Sequence, residues 1–233
     1  MNKSTPIILI LVVAVSGYIY ITQFGDQPSD LIQPRFDNLD DIMDACAEAM
    51  GGLDLVDGVE TLRLTMDWPD HGVLYTEIKR PNMVRLGESL IFNGTYCVLL
   101  GSPDPVPEEE WKDNEADIAY YFPAFFDYPA EYLGFQTVNN VVCYEVEVTL
   151  PRGAVMKYYI DSETDLILKV TADIVLYGQT YHTERVYSDY QPVDGLVFPH
   201  KFTYPARDGV SRLTATIEEL EINLPLEGRF TIP

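Results

Sequence analysis

Val142-Cys143-Tyr144-Glu145-Val146-Glu147-Val148-Thr149-Leu150 carries an apolar residue at every even position and mostly polar ones between. The pattern recurs over 166–176, where Leu166, Leu168, Val170, Ala172, Ile174 and Leu176 share one face and Lys169, Thr171 and Asp173 the other. Leu196, Phe198, Phe202 and Tyr204 extend it into a later strand. Strand side chains alternate between faces, so residues 141–206 predict a sheet with one apolar side and one wet side. Parallel strands are covered on both faces and read as unbroken apolar runs, so this sheet is antiparallel. What covers its apolar face is then the functional question.

Working outward, turn signals separate further strands. Asn139-Asn140, Pro151-Arg152-Gly153, residues 161–165, Tyr177-Gly178-Gln179 and Pro192-Val193-Asp194-Gly195 bound those of the second half, and Val210 to Asn223 reads as the last. Upstream, Val59 to Asp67, Gly72 to Lys79 and Met83 to Glu88 are strands, and Asn93-Gly94 marks a hairpin between 89–92 and 95–100. About 10–11 strands result, mainly β, and a twisted sheet of this size curls. The expectation is a curved antiparallel sheet forming an incomplete barrel with a concave apolar face.

Two segments are candidates to cover that face. Leu39, Ile42, Met43, Cys46 and Met50 recur at helical spacing over 37–50, with Asp37 or Asn38 as cap and Gly51-Gly52 as left-handed stop. The second is aromatic: Tyr120, Tyr121, Phe122, Phe125, Phe126 and Tyr128, interrupted by Pro123 and Pro129. The prolines limit it to one or two short helical turns, and its apolar surface calls for burial as a plug against the sheet, which resumes near Val138. Residues 101–117, with three prolines and seven acids, read as a solvated loop with a short helix from Glu108.

The chain of 233 residues has 15 basic and 37 acidic side chains, a net charge of -22. That balance argues against nucleic acid and against docking on anionic headgroups. Residues 4–25 carry no charge, with Lys3 before them and Asp26 after, which describes an export segment. As a helix it would measure roughly 33 Å, enough to span a bilayer core of about 30 Å. Its length favours an uncleaved anchor, although Ala14 and Ser16 offer a small-x-small cleavage site. The expected organisation is a signal or anchor segment at 1–25, a linker at 26–35 and one domain at 36–233, extracytoplasmic and monomeric.

Cys46, Cys97 and Cys143 are an odd number for an exported chain, so at least one is a free thiol. Cys97 and Cys143 could pair if their strands are neighbours; the reading preferred is three small buried hydrophobes. No GxSxG, GxGxxG or HExxH is present, nor GxxxxGK followed by Ser or Thr. His71, His182 and His200 are scattered, and Asp161-x-Glu163-x-Asp165 has Leu166 where a calcium loop needs glycine. No catalytic, metal or cofactor site is expected. The concave face itself remains, either a filled core or a cavity, since barrels of about eight strands already hold one small ligand. Its expected lining is Tyr120, Tyr121, Phe122, Phe125, Phe126, Tyr144, Val146, Val148, Leu168, Val170, Phe198 and Phe202.

Several segments taken in order resemble the outer-membrane lipoprotein-sorting family with its LolA/LolB-like fold. They are Glu48-Ala49-Met50-Gly51-Gly52, Val59 to Leu64, Lys79 to Arg85 and Phe92-Asn93-Gly94, then Tyr158 to Asp161 before Leu166 to Lys169. Tyr187-Ser188-Asp189-Tyr190 and Val193-Asp194-Gly195-Leu196-Val197-Phe198-Pro199 are the most family-like. The resemblance spans about residues 37–223. It implies a curved sheet lidded by helices that shields acyl chains of lipids or lipoproteins, with no bond made or broken. The chain departs from a free LolA-like carrier in its anchor-like start, and from a LolB-like acceptor in having no cysteine before Cys46. The alternative is an envelope protein-interaction or sensor module with a filled core.

Overall fold

The structure is a computed structural model that describes residues 10–15, 18–23, 35–102, 104–111, 114–206 and 209–231. It divides into two units, Met1–Gln33 and Pro34–Pro233. In the first, β1 (Ile10–Val15) and β2 (Tyr18–Gln23) pair antiparallel, with Val12 opposite Ile21. The expected anchor helix is therefore not what the described residues form. The run 10–23 is rich in β-branched residue types, which favour an extended backbone. No helix of the described residues is long and apolar enough to cross a membrane.

In the second unit, β3 (Thr61–Trp68), β4 (Gly72–Lys79), β5 (Met83–Leu86), β6 (Leu90–Phe92) and β7 (Cys97–Leu99) step outward to one edge. The chain then crosses to the other edge and returns through β8 (Ala130–Val138), β9 (Val141–Thr149), β10 (Val155–Asp161), β11 (Ile167–Leu176), β12 (Gln179–Val193), β13 (Leu196–Pro205) and β14 (Arg212–Ile222). Pairing of β14 with β3 joins the two meanders into one antiparallel sheet of 12 strands that does not close into a barrel. Strand β8 is the addition to the expected strands: the sheet resumes at Ala130, directly after Pro129, rather than at Val138.

The turns explain the register. Asn139 and Asn140 both adopt positive φ (51° and 67°), and Tyr177-Gly178 and Asp194-Gly195 do the same. This is the geometry whose twist matches tight antiparallel hairpins. Core-facing residues then follow the expected alternation: Tyr144, Val146 and Val148 on β9, Leu150 just after it, and Leu196, Phe198 and Phe202 on β13, are buried. The loop 161–165 is a hairpin turn in which the Asp161 carboxylate accepts from the Glu163 amide at 2.9 Å.

Helix α1 (Leu39–Ala49) is capped by Asn38, whose side chain accepts from the Asp41 amide. It ends in a Schellman motif: Gly52 N–H donates to Ala47 O at 2.8 Å and Gly51 N–H to Glu48 O at 3.1 Å. Gly51 sits at φ 122°, where a Cβ would lie 2.3 Å from Gly195 O, so the helix end presses on the β12–β13 turn. Val197 N–H donates to Met50 O there. Short helix α2 (Leu53–Asp57) leads into β3. Ile42, Cys46, Ala47, Met50 and Val56 enter one core with the inner faces of β3 and β9–β14. All three cysteines are buried.

Candidate functional site

The aromatic segment forms α4 (Asn114–Tyr121) and, after Pro123, a 3₁₀ turn at Ala124–Phe126. Proline lacks an N–H and ends the helix there. Preceding it is α3 (Glu108–Trp111), as expected from Glu108. The stretch before the plug is less solvated than its acidity suggests, because Trp111 and Glu115 are buried. Glu115 accepts from the Arg152 amide at 2.9 Å, and its carboxylate lies 3.4 Å from the Arg152 guanidinium. Burial pushes the Glu115 carboxyl up, against the opposing pull of Arg152.

Two side chains of the sheet and one of the β4–β5 turn hold this plug in place. Tyr158 on β10 is buried, donates its O–H to Ala119 O and accepts from Ala124 N–H, both at 2.9 Å. Tyr187 on β12 donates to Tyr120 O at 2.5 Å, and the Tyr120 hydroxyl meets the Thr183 hydroxyl. Arg80 grips from the opposite side: its Nε and Nη2 reach the Asp127 carboxylate, and Nη1 donates to Val56 O and Val59 O at 2.8 and 2.7 Å. Its guanidinium also lies 4.0 Å from the centre of the Phe122 ring. Burial pushes the Tyr158 and Tyr187 phenols well above their ordinary range, so they act as neutral donors.

Eleven of the twelve predicted lining residues join the core under or within the plug, and Leu168 does not. A β-bulge between Tyr159 and Ile160 leaves Ile160 opposite Ile167 and Tyr159 opposite Lys169, so Ile167 turns inward and Leu168 is displaced. Tyr120, Tyr121, Val170 and Phe198 line a small void beside the plug, together with Met50, Tyr158, Ile167, Tyr187 and Tyr190. Phe122, Phe125, Phe126, Tyr144, Val146, Val148 and Phe202 pack elsewhere in the same core. The void measures about 30 Å³. That is room for water and not for a ligand, since small-ligand pockets run to roughly 300–1,000 Å³. Of the two states the sequence leaves open, this is the filled one.

Arg185 is the inner-face residue that pattern reading missed. It stands opposite Val170 on the core side of β12, where an aliphatic residue fits the alternation. The signal was available: Thr183, Arg185 and Tyr187 share a phase, and left-handed Asp189 (φ 58°) shifts that phase so that Tyr190 also joins the core. Its guanidinium lies 4.1 Å from the centre of the Tyr120 ring and 4.8 Å from those of Tyr121 and Phe202. Asp117 Oδ1 is 3.7 Å from its Nη2. Nη1 is buried and donates to no acceptor among the described residues. Beside it opens a second cavity of about 400 Å³, walled by Trp68, Tyr120, Thr183 and Tyr204. Tyr120 borders both spaces.

Candidate nucleophiles and bases are dispersed. His182 pairs with Asp173 at 2.7 Å, His71 lies 3.5 Å from Asp70, and His200 faces Phe198 O. No metal-ligating cluster occurs among the described residues. Burial pushes the Cys46 thiol up to about 12 and the Cys143 thiol up to about 11, the environment of inert thiols. On the outer face, buried Glu77 is held by Arg63 and Arg229 at 2.7 and 2.8 Å, a structural cluster beneath the C-terminal segment that buries Leu226 and Phe230.

No family model and no curated protein matches the chain. Among solved structures, a LolA superfamily protein from Nitrosomonas europaea superposes with a TM-score of 0.54 at 11% identity, covering 84% of this chain and 99% of that one. A DUF1329 family protein from Desulfovibrio piger gives 0.49 at 12% identity, covering 84% and 98%. A domain assigned to outer membrane lipoprotein sorting in Vibrio parahaemolyticus gives 0.48 at 10%, covering 81% and 94%. At these identities the likeness speaks to fold, not to what is bound. The open antiparallel sheet, lidded by α1 and the aromatic plug, is a LolA-like fold.

Proposed function

We propose that this domain binds an acyl chain of a lipid or lipoprotein between the concave face of its sheet and the aromatic plug, making and breaking no bond. The observation that carries the reading is the plug's attachment. It sits on an apolar floor, fastened by discrete hydroxyl and guanidinium contacts from Tyr158, Tyr187 and Arg80, beside a void lined by Met50, Tyr121, Ile167, Val170 and Phe198. The void of about 30 Å³ is too small for a chain, so occupancy requires α4 and the 3₁₀ turn to lift together. The family resemblance of the sequence supports the cargo class. The uncharged run 4–25 supports an extracytoplasmic location with membrane attachment through that segment. The domain acts as a monomer in this reading.

Native mass spectrometry of the full chain purified without detergent, with lipid extraction alongside, tests it. A bound phospholipid or fatty acid is the expected result. A second reading draws on the filled interior and on Leu133 and Phe135, exposed on edge strand β8 at 43% and 54%. An edge strand with unpaired backbone groups can accept a partner's strand, as an envelope interaction module would. An empty protein that takes up no added fatty acid overturns the first reading in favour of the second.

A further inference from the structure

We propose that Arg185 is a headgroup site, so that the ligand is an anionic amphiphile whose carboxylate or phosphate oxygen binds this guanidinium. The inference rests on the acyl-binding reading and names the chemistry at the other end of the chain.

Arg80 and Arg185 are both largely buried and differ in what surrounds them. All three nitrogens of Arg80 donate to protein oxygens, the arrangement of a structural arginine. Arg185 has the same burial and a different environment: aromatic faces surround it, one carboxylate lies at 3.7 Å, and Nη1 is buried without an acceptor among the described residues. A guanidinium cannot lose its proton, so an unsatisfied buried N–H there is a standing cost that an incoming oxygen removes. Arg185 also borders the 400 Å³ cavity, large enough for a polar headgroup.

The geometry joins the two spaces. Tyr120 separates the apolar void from the Arg185 cavity, and Tyr120 and Tyr121 both belong to the plug. When a chain enters beneath the plug, these rings leave the guanidinium and expose it to the second cavity. A headgroup held at that mouth then gives the guanidinium a charge-assisted hydrogen bond in place of the Tyr120 and Tyr121 contacts it gives up. Two carboxylates, Asp117 and Glu184, line the cavity with Arg185, and other groups pair with the second. Glu184 is held by Lys169 at 2.7 Å and by Arg212, and Asp173 lies against His182. Asp117 remains the single carboxylate turned toward Arg185.

The test compares C12 ligands that differ only in the head: laurate, dodecyl phosphate and dodecanol, titrated calorimetrically into the full chain. Binding of either anion about tenfold or more tighter than the alcohol is expected, with the ratio falling toward one in Arg185→Gln and only partly in Arg185→Lys. Preference for the phosphate or for the carboxylate assigns the source of the headgroup. Equal binding of acid, phosphate and alcohol by the unaltered protein overturns this proposal and leaves acyl binding standing, as does an anion preference that survives in Arg185→Gln. If none of the three binds, the acyl-binding reading falls and this proposal with it. The comparison within the unaltered protein decides the matter even if Arg185→Gln fails to fold.

Discussion

The hydroxyl of Tyr158 lies 2.9 Å from the amide nitrogen of Ala124, and the same oxygen donates to Ala119 O at 2.9 Å. One atom on β10 thus ties the end of α4 to the start of the 3₁₀ turn. Tyr158→Phe keeps the ring and strands a buried N–H and C=O. The expected loss is about 1–3 kcal/mol in urea unfolding, with faster amide exchange confined to 114–126. Unchanged exchange in that segment would contradict the plug's dependence on this hydroxyl.

Arg80 joins Asp127 and Phe122 of the plug to the Val56 and Val59 carbonyls at the end of α2. Arg80→Met removes the charge but keeps much of the stem. Asp127 is left largely buried beside it without its partner, so a destabilisation of about 3 kcal/mol is expected from thermal or urea melts. Arg80→Lys should recover only part of it, because an ammonium lacks the fork that serves Asp127, Val56 and Val59 at once.

Gly51→Ala tests the docking of α1. The added Cβ meets Gly195 O at 2.3 Å and the backbone sits at φ 122°. Strain of this kind costs roughly 1–3 kcal/mol before the clash is counted. Gly52→Ala has comparable φ and open space around it, so it should cost less. Equal melting temperatures for the two variants would show that α1 does not bear on the β12–β13 turn.

A pH dependence follows from Glu77. Burial pushes its carboxyl up, but hydrogen bonds and charge from Arg229 and Arg63 outweigh that and hold it below the usual carboxylate range. A carboxyl depressed in the folded state binds its proton sooner in the unfolded one. Its contribution is therefore complete above the unfolded value of about 4.3 and is lost as pH falls through the depressed folded value. Unfolding midpoints measured from about pH 5 to about pH 3 should drop more steeply in the unaltered protein than in Glu77→Gln. Coincident slopes would remove Glu77 from the acid response.

Alternation made the inner faces of β9 and β13 legible, because one-sided burial writes a period of two into Tyr144-Val146-Val148 and Phe198-Phe202. Caps and turns were legible for a similar reason: Asn38, Gly51-Gly52 and Asn139-Asn140 are local chemistry that tertiary contacts do not override. Leu168 was misplaced because a bulge changes the phase without changing composition. Leu133 and Phe135 gave β8 no clean alternation, since an edge strand exposes apolar side chains too. Arg185 escaped because a charge on an inner face reads as a surface residue until Tyr120, Tyr121 and Phe202 are seen around it. At the N-terminus, apolar length argued for a helix where a run rich in β-branched residue types forms β1 and β2.

The account turns on the plug leaving the sheet when a chain enters. Hydrogen–deuterium exchange of the full chain with and without saturating laurate measures that step directly. The account predicts faster exchange across 114–126 in the ligand's presence, with slower exchange in β10–β13, whose inner faces gain a cover. An unchanged or more protected plug, with laurate demonstrably bound, would contradict it.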